Sequence, residues 1–99
     1  MCYIGTKGHY LPYLSDQYEP YFKAVNHLVE TYSGRFHWGK HTYSSPEYLK
    51  TVYPKWSDFW ILRDKLDPHK LFMNNWLKQF YTQPTTQQIT QFNARYSLQ

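Results

Sequence analysis

The sequence predicts an α+β fold, a truncated sheet edge of one or two strands followed by three to four helices. Three observations carry this reading. Residues 2–11, Cys-Tyr-Ile-Gly-Thr-Lys-Gly-His-Tyr-Leu, are rich in β-formers. Apolar side chains at Tyr21, Phe22, Val25, Leu28, Val29 and Tyr32 follow the i, i+3, i+4, i+7 spacing of one helical face. Ser45-Pro46-Glu47 sets a hydroxyl cap, a proline and an acid where a further helix begins.

Taken in order, 2–11 reads as a strand, bulged at Gly5 or Gly8. The only other candidate strand is the short stretch 35–40. Two strands alone are marginal, so the sheet reads as cut from a larger one. After a turn over 12–16, the first helix is expected at about residues 19–33, with Pro20 in its first turn and Gly34 as the left-handed residue past its end. The second helix runs from Pro46 to near Tyr53. A third starts around Pro54 with Trp56, Phe59, Trp60, Leu62 or Arg63, and Leu66 on its face, and Pro68 stops it at Asp67. Residues 71–80 add a turn or two. From Thr82 the composition shifts to Thr and Gln, so 82–99 is set apart from 1–81 as a polar tail, partly helical, with little apolar area to offset its ordering.

Composition narrows the function. Ninety-nine residues suffice for one small core. Eleven Tyr, six Phe and four Trp are more rings than such a core can enclose, so many must lie on the surface or against something larger. The net charge of +4 favours an anionic partner, but Lys and Arg are spread from Lys7 to Arg95 with no run of three, the pattern of a solvated surface. The single cysteine, Cys2, excludes an internal disulfide. No stretch approaches the ~20 apolar residues of a membrane span, and there is no signal-peptide pattern, so a cytoplasmic or membrane-peripheral chain is expected.

Chemistry concentrates in one loop. Arg35, His37, Trp38, Gly39 and Lys40 bring a guanidinium, an imidazole, an indole, a glycine and an ammonium into six residues. If the loop is extended, Phe36, Trp38 and Lys40 share one side and Arg35, His37 and Gly39 the other, so His37 and Lys40 converge only through a turn at Gly39. The bland alternative is an ordinary loop with one anchoring indole. His37 and His41 stand four apart, a zinc spacing on a helix, but Gly39 lies between them and no third ligand is spaced to join them, so no metal is expected. Cys2 lacks an ordered base, and Gly5-x-x-Gly8 lacks the strand-turn-helix context of a phosphate loop.

Read together, Cys2-Tyr3-Ile4, an amphipathic helix, Gly34-Arg35-Phe36-His37-Trp38-Gly39-Lys40-His41, Tyr53-Pro54, Phe59, Arg63-Asp64-Lys65-Leu66-Asp67-Pro68, Phe72, Asn74 and Leu77 resemble the C-terminal end of the aldonolactone oxidases. That family, which includes the L-gulonolactone and D-arabinono-1,4-lactone oxidases, belongs to the vanillyl-alcohol oxidase superfamily. The resemblance covers residues 2 to about 81 and departs twice from the family pattern. Phe36 stands where proline is usual, and Lys70 where glycine is usual.

What the resemblance implies is the C-terminal portion of a larger flavoenzyme that oxidises a sugar lactone at a C–H bearing a hydroxyl, with FAD as cofactor. Lys40 would stabilise negative charge as hydride reaches the flavin, His37 would hydrogen-bond flavin or substrate, Trp38 and Gly39 would wall the pocket, and Arg35 would anchor the loop. The FAD-binding domain lies upstream in the family, so the chain is expected to need that domain in cis or in trans, and membrane association enters only by family analogy. Two other readings remain open at this stage. One is a small aromatic and basic module that binds protein or nucleic acid, although no nucleic-acid partner is expected; the other is a nonfunctional remnant.

Overall fold

The computed structural model describes residues 15–40 and 42–96, with side chains over 19–40 and 42–96. Within them the chain forms α1 (Ser15–Thr31), α2 (Pro46–Val52), α3 (Trp56–Leu66), α4 (Asn75–Lys78) and α5 (Thr86–Tyr96). It divides into two compact units, Met1–Tyr43 and Ser44–Gln99. None of the helices among the described residues is long and apolar enough to cross a membrane.

The α+β expectation is corrected here, because the described residues are helical and contain no strand. Segment 35–40 is open chain closed by a turn in which the Lys40 N–H donates to the His37 carbonyl at 3.0 Å. A strand needs a neighbour for its backbone groups, whereas a turn satisfies them locally. The strand expected over 2–11 lies outside the described residues.

In the first unit, α1 begins at Ser15, ahead of its expected start, so Pro20 falls inside the helix and gives up the bond its N–H would have made. The far end is a Schellman closure: Ser33 N–H donates to the Glu30 carbonyl at 3.0 Å and Gly34 N–H to the Val29 carbonyl at 2.8 Å. Ser33, not Gly34, takes the left-handed conformation, with φ 54°. Gly34 is needed one step later for a different reason, since a Cβ there would lie 2.8 Å from Val29 Cγ1 and 3.0 Å from the Val29 carbonyl oxygen.

The second unit follows its start signals closely. Ser45 caps α2 by accepting from Tyr48 N–H at 3.2 Å, and Asn74 caps the single turn of α4 by accepting from Leu77 N–H at 2.7 Å. The core is Leu49, Trp56, Trp60, Ile61, Phe80 and Phe92. Trp60, 1% exposed, sits edge-to-face with Trp56, Phe59 and Tyr81 at ring separations of 5.7, 4.9 and 5.3 Å. Truncating a buried indole of this kind costs about 3–5 kcal/mol.

The polar tail is more ordered than its composition suggests. Thr85 and Gln88 form a reciprocal capping box, each side chain accepting from the other's backbone N–H, at 3.2 and 2.9 Å. From that start α5 lays Phe92 into the core, and its polar residues reach α3: Gln88 donates to Ser57 Oγ at 2.9 Å, while Arg95 and Tyr96 converge on Asp58 Oδ2 at 2.8 and 3.1 Å. Thr82 accepts from the Trp56 indole at 3.2 Å.

One carboxylate turns the chain after α3. Asp67 Oδ1 accepts from Leu71 N–H at 2.8 Å, and its Oδ2 accepts from Phe72 N–H at 2.9 Å and from Arg63 Nη2 at 2.7 Å. Arg63 also pairs with Asp64 at 2.8 Å, and Asp64 accepts from the Tyr81 hydroxyl at 2.7 Å. Burial pushes the Asp67 carboxyl up, but the Phe72 and Leu71 amides, with the charges of Arg63 and His69, together hold it below the usual carboxylate range. Tyr81 moves the other way: its hydrogen bond to Asp64, then burial, then the Asp64 charge raise the phenol above its usual value.

Two tests follow from this turn. A lowered Asp67 favours the native state above the unfolded carboxylate pKa of about 4 and loses that contribution as pH falls through the native value. A raised Tyr81 contributes below its unfolded pKa of about 10 and is lost as pH rises through the native value. Stability to denaturant measured against pH should therefore fall at both ends, with Asp67→Asn flattening the acid limb and Tyr81→Phe the alkaline one; limbs unchanged by these substitutions would refute the assignment. Lys70 is left-handed with φ 56°, a strain of about 1–2 kcal/mol for a residue with a Cβ, while its ammonium lies 5.0 Å from the Tyr81 ring centre. Lys70→Ala removes the ring contact and keeps the strain, so Lys70→Gly should unfold about 1 kcal/mol above it in urea. Equal stabilities would show that the turn is not strained.

Candidate active site

Segment 35–43 is built outward from the end of α1. Asn26 does the stapling: its Oδ1 accepts from Tyr43 N–H at 3.0 Å and from Thr42 Oγ1 at 3.3 Å, and its Nδ2 donates to Glu30 at 3.1 Å. Lys23 adds its ammonium over the Tyr43 ring at 5.6 Å. With the Schellman closure on one side and Asn26 on the other, the loop leaves and rejoins α1 at fixed points. Sequence reasoning passed over Asn26, since one asparagine on a helix has no spacing signature.

Inside that frame the turn brings together His37, Gly39 and Lys40. Gly39 N–H donates to His37 Nδ1 at 2.9 Å, a contact that selects the tautomer with Nδ1 as acceptor and Nε2 as the N–H. A Cβ on Gly39 would stand 3.1 Å from His37 Cε1 and 3.3 Å from Nδ1, so glycine is what lets the backbone approach the imidazole. The same turn bonds Lys40 N–H to the His37 carbonyl. Phe36 and Trp38 lie against each other, ring centres 4.5 Å apart, the one half-buried and the other 37% exposed. Arg35, His37, Gly39 and Lys40 are exposed. The segment thus offers an imidazole N–H and an ammonium from one short turn that contains no carboxylate.

Comparison with known proteins identifies the family of this helical chain. Residues 1–80 match the family model described as D-arabinono-1,4-lactone oxidase, and the chain belongs to that family. Among its relatives, the L-gulono-1,4-lactone dehydrogenase of Mycobacterium tuberculosis is 37% identical over 78 residues, which are 79% of this chain and 17% of the relative. The L-gulonolactone oxidases of Mus musculus and Scyliorhinus torazame are 30% and 32% identical over 81 and 82 residues, in each case 81% of this chain and 18% of the relative. The chain therefore spans less than a fifth of the length of these relatives. No solved structure matches.

The hydrogen bond that orients His37 is directly testable. At a pH where the ring is neutral, nitrogen chemical shifts should show Nδ1 as the unprotonated acceptor, and Gly39→Ala should move the ring toward a mixture of tautomers. A wild-type ring already averaging between the two tautomers would remove the Gly39 contact as its organiser.

Proposed function

We propose that this chain supplies part of the active site of an FAD-dependent aldonolactone oxidoreductase, with His37 and Lys40 facing flavin and substrate. The observation that carries the reading is the turn over 37–40, in which Gly39 N–H holds the exposed imidazole by Nδ1, leaving Nε2 outside that bond, and Lys40 follows within the same turn. Its donor set fits a group that gains negative charge, because both side chains present N–H groups and no carboxylate shares the segment. Family membership supports the same reaction class. FAD, when bound, accepts hydride from the carbon that bears the lactone's hydroxyl group.

This chain's own residues do the positioning. Lys40 holds a positive charge where negative charge develops, and His37 donates through Nε2 to an acceptor on flavin or substrate. Trp38, backed by Phe36, supplies a flat apolar wall that excludes water from one side of the turn. Arg35 anchors the entry of the segment. The turn is too exposed to enclose a flavin, so the FAD-binding domain, in cis or in trans, is the partner and a sugar lactone the substrate. Membrane association, where it occurs, belongs to the whole enzyme.

Two measurements test this together. Titrated with FAD, the isolated 99 residues should bind none; stoichiometric binding would refute the incomplete-site reading. Grafted in place of the matching segment of the Mycobacterium tuberculosis dehydrogenase, the chain should support lactone oxidation, and Lys40→Met should lower kcat by about 10²–10³-fold. A grafted enzyme indifferent to both Lys40→Met and His37→Ala would exclude the turn from the chemistry.

A further inference from the structure

The helix α3 is apolar on two sides, and the described residues cover only one. Trp56, Trp60 and Ile61 are buried. On the other side Phe59, Leu62, Leu66, Phe72 and Leu77, together with Arg63 and Asp67, line an open groove of about 300 Å³. Leu66 is 77% exposed and Phe72 85%. An apolar patch of this kind on a small unit marks an interaction surface.

Sequence comparison separates the two sides. Every residue of the groove lies within the segment shared with the lactone oxidoreductases, whereas α5, which closes the buried side, begins beyond residue 80, where the family match ends. The shared segment is 17% of the length of the mycobacterial relative, so more than four-fifths of that polypeptide is available to cover what this chain leaves bare. The two charged residues of the lining, Arg63 and Asp67, are paired with each other at 2.7 Å. Such a groove suits an apolar occupant and gives an anionic one nothing unpaired to hold.

We propose that the groove between α3 and the 67–77 segment is the docking surface for an apolar patch on the remainder of the lactone oxidoreductase polypeptide, the part that holds the flavin. The inference rests on the reading of this chain as part of that enzyme. It adds the surface by which the two parts join. Phe72 and Leu66 are its anchors, and Asp67 sets the groove's shape by fixing the backbone at Leu71 and Phe72.

The test places Leu66→Glu and Phe72→Glu in two settings, with Gln91→Glu on exposed α5 as the control. In the isolated chain each should leave the helix signal and the melting temperature unchanged, since both side chains already face solvent. In the chimera with the mycobacterial dehydrogenase each should lower the melting temperature by about 5 °C or more, while Gln91→Glu does not. Groove substitutions that are silent in a chimera that still oxidises lactone would overturn the docking surface and leave the functional reading in place. A chimera destabilised by them, yet inactive when unsubstituted, would keep the docking surface and remove the role of the turn. Concentration-dependent dimers of the isolated chain that Leu66→Glu abolishes would assign the groove to a second copy and overturn the proposal, as would an isolated chain that the same substitutions unfold.

Discussion

A carboxylate with only a tenth of its side chain exposed stays charged only if the protein replaces the water it has lost, and Asp67 is supplied with two backbone amides and a guanidinium. The consequences run along the chain in both directions. Backward, Arg63 is held against α3 and orients Asp64, which takes the Tyr81 hydroxyl. Forward, the amides of Leu71 and Phe72 are fixed, and Lys70 is carried into a left-handed conformation that brings its ammonium over Tyr81. The circuit closes on itself, so the end of α3, the 67–72 turn and the start of the 81–85 segment are fixed relative to one another by one set of charges. A neutral or shorter side chain at position 67 cannot satisfy three donors at once.

The circuit also decides which apolar residues are inside. By bringing Tyr81 back to α3, it places a ring against Trp60 and leads the chain to Thr82, which accepts from Trp56, and then into α5. The buried side of α3 is thus sealed by sequence that follows the family match, and Asp58, itself buried, is paired by Arg95 and Tyr96. Turning the chain this way leaves Phe72 outward beside Leu66. One polar arrangement therefore closes one side of the helix and holds the other open.

Legibility in the sequence followed locality. The start of α2 and the stop of α3 before Pro68 were readable, because a hydroxyl before proline and a proline after the last turn act over a few residues, whereas α3 begins two residues after Pro54 with no side-chain cap. The capping box at Thr85 and Gln88 was equally local, but it was hidden by a segment judged on its apolar content. Pro20 misled, since proline marks a first turn only when nothing carries the helix through it. The short strand expected over 35–40 failed for a deeper reason: a turn satisfied its backbone with no neighbouring strand among the described residues. The chemistry-bearing side chains of the site were legible by type, but Asn26, which holds their loop, acts across 16 and 17 residues and left no pattern to read.

That distance matters for how the turn over 37–40 keeps its shape with Phe36, and no proline, at its entry. Proline would restrict the loop by fixing one φ angle. Here the restriction comes from contacts instead. The Schellman closure sets where the segment leaves α1, Asn26 sets where it returns, and Phe36 rests against Trp38 between them. A tilted ring pair of this kind contributes about 0.5–1.5 kcal/mol beyond its buried area, enough to favour one arrangement of a short loop already tied at both ends. The cost of the exchange is that order now depends on side chains that must stay packed, so a partner surface laid over Trp38 would stiffen the turn and hold His37 and Lys40 in place together.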